Sequence, residues 1–113
     1  MTVIPLAEKY GLEQLSLPCG EREITGGYAG DLLSWVMGRA QSGDGWITIM
    51  SNINIAAVAA LTDAACIIIA EGVTLDANIL ETARSKGINI LSSQKPAFEI
   101  AGLLWSELHP DRT

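Results

Sequence analysis

The sequence predicts an α/β fold of three layers (α/β/α), in which a mostly parallel sheet of four to five strands lies between helices. Segments of strand character alternate with segments of helix character along the 113 residues, and the links between them are a few residues long. One segment, "CIIIA" at 66–70, is continuously apolar, which is typical of a strand covered by helices on both faces. The length fits a single domain, with a core of about residues 3–105 and a tail at 106–113.

The individual elements follow from periodicity and from proline, glycine and capping signals, taken in chain order. Pro5 suits the first position of an opening helix and Gly11 suits its end, after which "LEQLSL" alternates like a strand. Asp31 and Thr74 are the expected N-caps of the second and fourth helices, and Gly87 ends the fourth. The pattern predicts helices at 5–10, 32–40, 53–62, 75–86 and 96–107 and strands at 12–17, 46–50, 66–70 and 88–93.

The second predicted helix, "LLSWVMGRA", carries an apolar face that should point into the core. Positions three and four residues apart lie on the same side of a helix. This spacing unites five apolar side chains, Leu32, Leu33, Val36, Met37 and Ala40.

The segments that follow the strands indicate where a ligand would bind. In open α/β sheets, ligands bind outside the carboxyl ends of the parallel strands. We expect those ends to be "TGGYAGD", "SNIN", "AEGVT" and "SSQK", all polar or glycine-rich and all gathered at one edge of the sheet.

The composition excludes several classes of partner. Thirteen acidic residues against seven Lys and Arg give a formal charge of −6, which disfavours a nucleic-acid backbone or an anionic membrane surface. The most apolar stretch, 55–70, contains Asp63 and is too short to span a membrane. Cys19 and Cys66 lack metal-site spacing, so reduced thiols and a cytoplasmic location are expected. No secretory signal is expected, because Glu8 and Lys9 interrupt the first apolar residues.

Most catalytic machinery is missing from the predicted domain. The one histidine, His109, lies in the predicted tail, so Ser-His and Cys-His nucleophilic catalysis and a zinc site are disfavoured. The chain also lacks a glycine loop that closes in Gly-Lys-Ser/Thr, the apparatus of nucleotide hydrolysis. We therefore predict no catalytic residue, no metal ligand and no cofactor. Chemistry by carboxylates alone leaves an enzyme of unrecognised type as the third alternative.

The stretch "ITGGYAGD" at 24–31 is the best candidate for a binding site. Its three glycines lie within five residues, between a strand-like segment and a helix, where backbone N–H groups can hold an anion. The alternative is a tight turn with Gly27 or Gly30 at positive φ. In the same way, Ser51 and Asn52 either contact a base or ribose or cap the next helix.

The segment "EREITGGYAGDLLSWVM" resembles the DRTGG domain family, named for an Asp-Arg-Thr-Gly-Gly set of residues. Arg22, Thr25, Gly26 and Gly27 match that set, and Glu21 stands at the acidic place. The resemblance continues through "GDGWITI", "NIAAVA", "CIIIAEG" and "GINILSS" and covers roughly residues 3–105. The chain is thereby similar to the N-terminal, non-catalytic domain of HPr kinase/phosphorylase and to a domain that lies beside CBS domains in regulatory pyrophosphatases.

The resemblance implies a small regulatory domain without enzyme activity, which binds an adenine nucleotide and acts as a homodimer. Relatives often carry a histidine where this chain has Asn52, so proton transfer by that histidine is not expected here. The alternative is a module that binds an unknown protein partner and no small ligand. The glycine stretch and the resemblance together give the candidate ligand-binding residues Arg22, Thr25, Gly26, Gly27, Tyr28, Gly30, Ser51 and Asn52.

Overall fold

Five strands form one mixed sheet in the computed structural model of the chain, which describes residues 1–112. Their spatial order is β1-β5-β4-β3-β2. Strands β2 to β5 are parallel, whereas β1 lies antiparallel to β5 at one edge, with an irregularity between Gln14 and Ser16. The predicted mostly parallel sheet is therefore confirmed. The strands are β1 Glu13–Ser16, β2 Gly26–Ala29, β3 Asp44–Thr48, β4 Cys66–Ile69 and β5 Ile90–Ser92.

Five α-helices cover the two faces of the sheet, as the three-layer prediction requires. One layer holds the three helices that link the parallel strands, α2, α3 and α4, and the other holds α1 and α5. The parallel strands follow one another across the sheet from β2 to β5. After β5, α5 crosses back over the opposite face and packs on β2 and β3. The helices are α1 Val3–Tyr10, α2 Leu33–Arg39, α3 Ile55–Thr62, α4 Ala77–Ser85 and α5 Ala97–Leu108, followed by a 3₁₀ turn at Pro110–Arg112.

Alternate residues of the strands feed two separate apolar cores, one on each face of the sheet. Ile67 and Ile69 of β4 point to the α2–α4 side, together with the fully buried Trp46 of β3. Ile68 points to the side of α1 and α5, together with Cys66. This double burial explains the continuous apolar run of β4. Burial also raises the pKa of the Cys66 thiol to about 12, whereas Cys19 is exposed, and both thiols are free.

Glycines end two elements as predicted, but the predicted side-chain caps are wrong. Gly11 ends α1 in the left-handed conformation with φ of 66°, and Gly87 follows α4 with φ of 73°. The N-cap of α2 is Leu32 rather than Asp31, because the Asp31 carboxylate instead binds the end of β3. The N-cap of α4 is Asp76 rather than Thr74, and it makes no side-chain cap.

The predicted inner face of α2 is only partly inside. Val36 is fully buried and Leu33 packs against the same core. Leu32 and Met37, by contrast, have 59% and 48% of their surface exposed. The reason is that α2 is short and lies beside the edge strand β2, where no further helix covers its outer side.

Within the described part of the chain, every helix is too short or too polar to cross a bilayer. The helix α5 continues to Leu108 and the 3₁₀ turn follows, so the start of the predicted tail is regular structure. The last residue of that tail, Thr113, lies outside the described residues.

Candidate ligand-binding site

The glycine stretch forms the edge strand β2 rather than a turn at the end of a strand. Gly26, Gly27, Tyr28 and Ala29 pair in parallel with β3. Gly27 and Gly30 are not among the residues with positive φ, so the alternative of a tight turn with one of them in that conformation is wrong. Because Thr25 precedes the strand, it lies at the amino edge of the sheet, opposite to the expected carboxyl edge.

Close contacts rather than backbone shape favour glycine in β2. A Cβ atom on Gly26 would lie 2.6 Å from Oδ1 of Asp44. A Cβ atom on Gly27 would lie 3.0 Å from Cδ2 of Leu104 on α5, the lower limit of real contacts. A glycine inside a strand often marks such a close approach. The two glycines therefore bring α5 and the Asp44 carboxylate close to the edge strand.

A cavity of about 540 Å³ opens beside this strand, and we call it the edge cavity. Its walls come from β2, from the loop between α2 and β3, and from the last turns of α5. Its size is within the range of small-molecule sites. The lining residues are Thr25, Gly26, Gly27, Tyr28, Ala29, Arg39, Gln41, Ser42, Asp44, Ile47, Ala101, Leu104, Trp105, Leu108 and His109.

Arg39 supplies a positive charge to the edge cavity and forms no ion pair with an acidic group of residues 1–112. Its guanidinium carbon lies 3.8 Å from the ring centre of Trp35, a cation–π contact that holds the side chain in place. None of the ion pairs formed within residues 1–112 includes Arg39. In a chain of net charge −6, an unpaired guanidinium beside a cavity is a natural anchor for an anion such as phosphate.

Trp105 and His109 form the aromatic wall of the edge cavity on α5. Their rings stack with centres 3.7 Å apart and planes inclined by 19°. Nδ1 of His109 lies 2.9 Å from the carbonyl oxygen of Trp105, which orients the imidazole. Half of the Trp105 surface is exposed. His109, which the sequence places in the predicted tail, is therefore part of the wall of the edge cavity.

Four of the eight predicted binding residues line the edge cavity, namely Thr25, Gly26, Gly27 and Tyr28. Gly30 lies just after β2, and its carbonyl accepts a hydrogen bond from Nε1 of Trp46 at 2.9 Å. The assignment of ligand contacts to all eight stays a prediction, but the structure does not bring them together as one group.

Ser51 and Asn52 lie beyond the carboxyl end of β3, at the edge of the sheet opposite to Thr25. They are not helix caps, because α3 begins at Ile55 with Asn54 as its N-cap. The side chain of Asn52 instead accepts a hydrogen bond from the backbone N–H of Asn54 at 2.7 Å. Their loop is thus shaped by a local turn.

Arg22 is committed to a structural ion pair at the amino edge. Its guanidinium contacts the carboxylate of Asp63 at 3.1 Å and donates to the Asp63 carbonyl at 2.9 Å. Asp63 ends α3 in the left-handed conformation with φ of 58°. A hydrogen bond from Ser42 and the charge of Arg22 lower the pKa of the Asp63 carboxyl. Arg22 therefore ties the segment before β2 to the end of α3.

Replacing Asp63 by asparagine is expected to reduce stability at neutral pH and to leave it unchanged in strong acid. Asparagine tolerates the left-handed conformation, so the change removes mainly the charge. A carboxylate with a lowered pKa contributes stability above the ordinary pKa of Asp, and the contribution is lost as the pH falls through the lowered value. Urea unfolding at neutral pH and at about pH 2 measures this difference. A wild-type-like pH dependence of the variant would contradict the role of the pair.

Two smaller cavities lie at the carboxyl edge of the sheet. They measure about 260 and 190 Å³, lie where β1 meets β5 and share Ser92, Ser93 and Gln94. The parallel strands β2 to β5 follow one another without a reversal of order. Such a reversal is what opens a crevice at the carboxyl edge of open sheets, so its absence explains why the larger cavity lies elsewhere.

Sequence reasoning did not identify the charged and aromatic residues of the edge cavity, Arg39, Asp44 and Trp105. Arg39 and Asp44 lie at the two ends of the loop between α2 and β3, and the return of α5 across the sheet brings Trp105 to the same cavity. Across residues 1–112, no group of three or more His, Cys, Asp or Glu side chains is arranged to hold a metal ion. Through Arg39, Asp44 and Trp105, the edge cavity offers a ligand one cation, one carboxylate and an aromatic wall.

The comparison with known proteins supports the fold. No protein-family model and no curated protein matches the sequence. A similar solved structure is the crystal structure of the CBS and DRTGG domains of the regulatory region of Clostridium perfringens pyrophosphatase, complexed with the activator diadenosine tetraphosphate. The TM-score is 0.71 at 15% sequence identity, over 91% of this chain and 46% of that chain. This chain spans less than half of that structure, and it has a DRTGG-like fold.

Proposed function

We propose that the chain is a small regulatory domain without enzyme activity, which binds an adenine nucleotide in the edge cavity. The observation that carries the proposal is the unpaired guanidinium of Arg39 beside a cavity of about 540 Å³. Arg39 would hold phosphate, and the apolar wall of Leu104 and Trp105 would receive the base. The solved structure with a similar fold contains diadenosine tetraphosphate, which makes an adenine nucleotide the ligand of choice.

Thermal unfolding with adenine nucleotides, dinucleoside polyphosphates and cyclic dinucleotides tests the proposal. A ligand at about 100 times its dissociation constant stabilises the fold by about 2.7 kcal/mol. We expect at least one adenine compound of the panel to produce such a shift. If no compound shifts the transition, the nucleotide proposal is wrong and the interaction module is favoured.

The proposal includes a homodimer, which the surface of α2 supports. Leu32 and Trp35 lie one helical turn apart and expose 59% and 53% of their surface. Contiguous exposed apolar surface often marks protein interfaces. The same surface is the observation that favours the alternative function, binding to another protein. A cytoplasmic location is also proposed and is compatible with the two free cysteines.

Replacing Leu32 by glutamate is expected to shift the protein from dimer to monomer in light scattering. A buried, unpaired charge at an interface is strongly unfavourable. Glutamate in place of the neighbouring exposed Ser34 is the control and should leave the dimer intact. A wild-type protein that stays monomeric at high concentration would contradict the homodimer.

A further inference from the structure

We infer that Asp44 makes binding in the edge cavity depend on a hydrogen-bond donor of the ligand, namely the exocyclic amino group of an adenine ring. The inference rests on the proposed function and adds to it the group of the ligand that is recognised and the protein atom that recognises it. That atom is Oδ1 of Asp44.

Asp44 is a buried carboxylate with one oxygen left for a ligand. The residue is only 5% exposed, and Oδ2 accepts a hydrogen bond from the backbone N–H of Gln41 at 2.8 Å. Oδ1 has no hydrogen-bond donor within residues 1–112. In the same part of the chain, every fully enclosed side-chain nitrogen or oxygen has a partner. Oδ1 is therefore not fully enclosed, and the residue that carries it lines the edge cavity.

The edge strand keeps this oxygen uncovered. A Cβ atom on Gly26 would lie 2.6 Å from Oδ1, so any larger residue would fill the approach to it. Asp44 is also the only carboxylate among the described residues that line the cavity. Two of its polar neighbours already have partners, since the Ser42 hydroxyl donates to Asp63 and the side-chain amide of Gln41 donates to the carbonyl of Arg39.

An ionised carboxylate only accepts hydrogen bonds. A ligand that covers Oδ1 without offering a donor leaves a buried polar atom unpaired, which is unfavourable. The ring that fits this position brings an N–H group to Oδ1 while its phosphate reaches Arg39. The amino group of adenine supplies that donor. Sites built around such a bond strongly reject analogues that lack it.

Calorimetric titration with adenosine 5′-triphosphate and purine riboside 5′-triphosphate tests the inference, because the second compound lacks only the amino group. We expect the wild-type protein to bind the adenosine compound at least about tenfold more tightly. Equal affinities would overturn the inference and leave the proposed function standing. Failure of both compounds to bind would overturn the inference, whereas the proposed function falls only if no compound of the thermal panel shifts the transition.

The Asp44→Asn variant sharpens the test. The N–H of Gln41 retains the oxygen of the asparagine, so the amide nitrogen takes the place of Oδ1 and presents a donor to the cavity. We expect the tenfold preference to disappear or to reverse toward purine riboside triphosphate. An unchanged preference in a variant whose thermal transition remains cooperative would overturn the role of Asp44. If the variant does not fold, the comparison of the two compounds on the wild-type protein still tests whether binding depends on the amino group.

Discussion

Replacing Trp46 by alanine is expected to lower the free energy of unfolding by about 3–5 kcal/mol. Trp46 is the largest side chain that is fully buried, and it packs in the core between the sheet and α2–α4. The substitution removes this packing and leaves a void. It also deletes the 2.9 Å hydrogen bond from Nε1 to the carbonyl of Gly30, which ties the end of the edge strand to β3. The expected loss is large, because the whole free energy of unfolding of such a domain is about 5–15 kcal/mol.

Urea unfolding followed by circular dichroism measures the loss. The matched control is Phe98→Ala, an aromatic side chain with 91% of its surface exposed, for which we expect a change within about 0.5 kcal/mol. A Trp46→Ala variant no less stable than this control would show that Trp46 is not in the core.

Replacing Arg39 by alanine is expected to weaken nucleotide binding by about 10- to 150-fold, which corresponds to the loss of a hydrogen bond to a charged group of about 1.5–3 kcal/mol. Arg39 is the only Lys or Arg among the described residues that line the edge cavity. Lysine at this position keeps the charge but not the planar fork, so an intermediate affinity is expected. The variant should keep its fold, because the contact with Trp35 contributes only about 0.5–1 kcal/mol.

The control for this experiment is Arg84→Ala. Arg84, like Arg39, is the basic residue in the last turn of its helix, but α4 does not line the edge cavity. The control should bind the nucleotide as the wild-type protein does. Binding that survives in Arg39→Ala, or that is lost equally in both variants, would place the phosphate away from the edge cavity.

The architecture was predictable because it depends on patterns that are local in sequence. The apolar run of β4 indicates two covered faces, and the alternation of strands and helices indicates a parallel sheet. The apolar face assigned to α2 was only partly right, since exposure of Leu32 depends on a missing neighbour beyond the sheet edge. The periodicity of α2 shows which side chains share a face, but it does not show whether a neighbouring element covers that face.

The position of the cavity was not predictable for a different physical reason. Glycines suggest unusual backbone conformations, whereas Gly26 and Gly27 are needed because α5 and Asp44 approach the strand closely. These contacts join residues distant in sequence. Likewise, nothing in the sequence places Arg39 and Trp105 at a common site. They meet only because the parallel strands run in one direction across the sheet and α5 returns over them.

We propose that a nucleotide binds in the edge cavity rather than at the carboxyl edge of the sheet. The most direct measurement is the map of backbone amide shifts in a ¹⁵N–¹H NMR titration with the nucleotide that stabilises the protein. We predict that the largest shifts fall on Gly26, Gly27 and the Arg39–Asp44 loop. Shifts concentrated instead on Ser51 and Asn52, with the edge strand unaffected, would contradict the account.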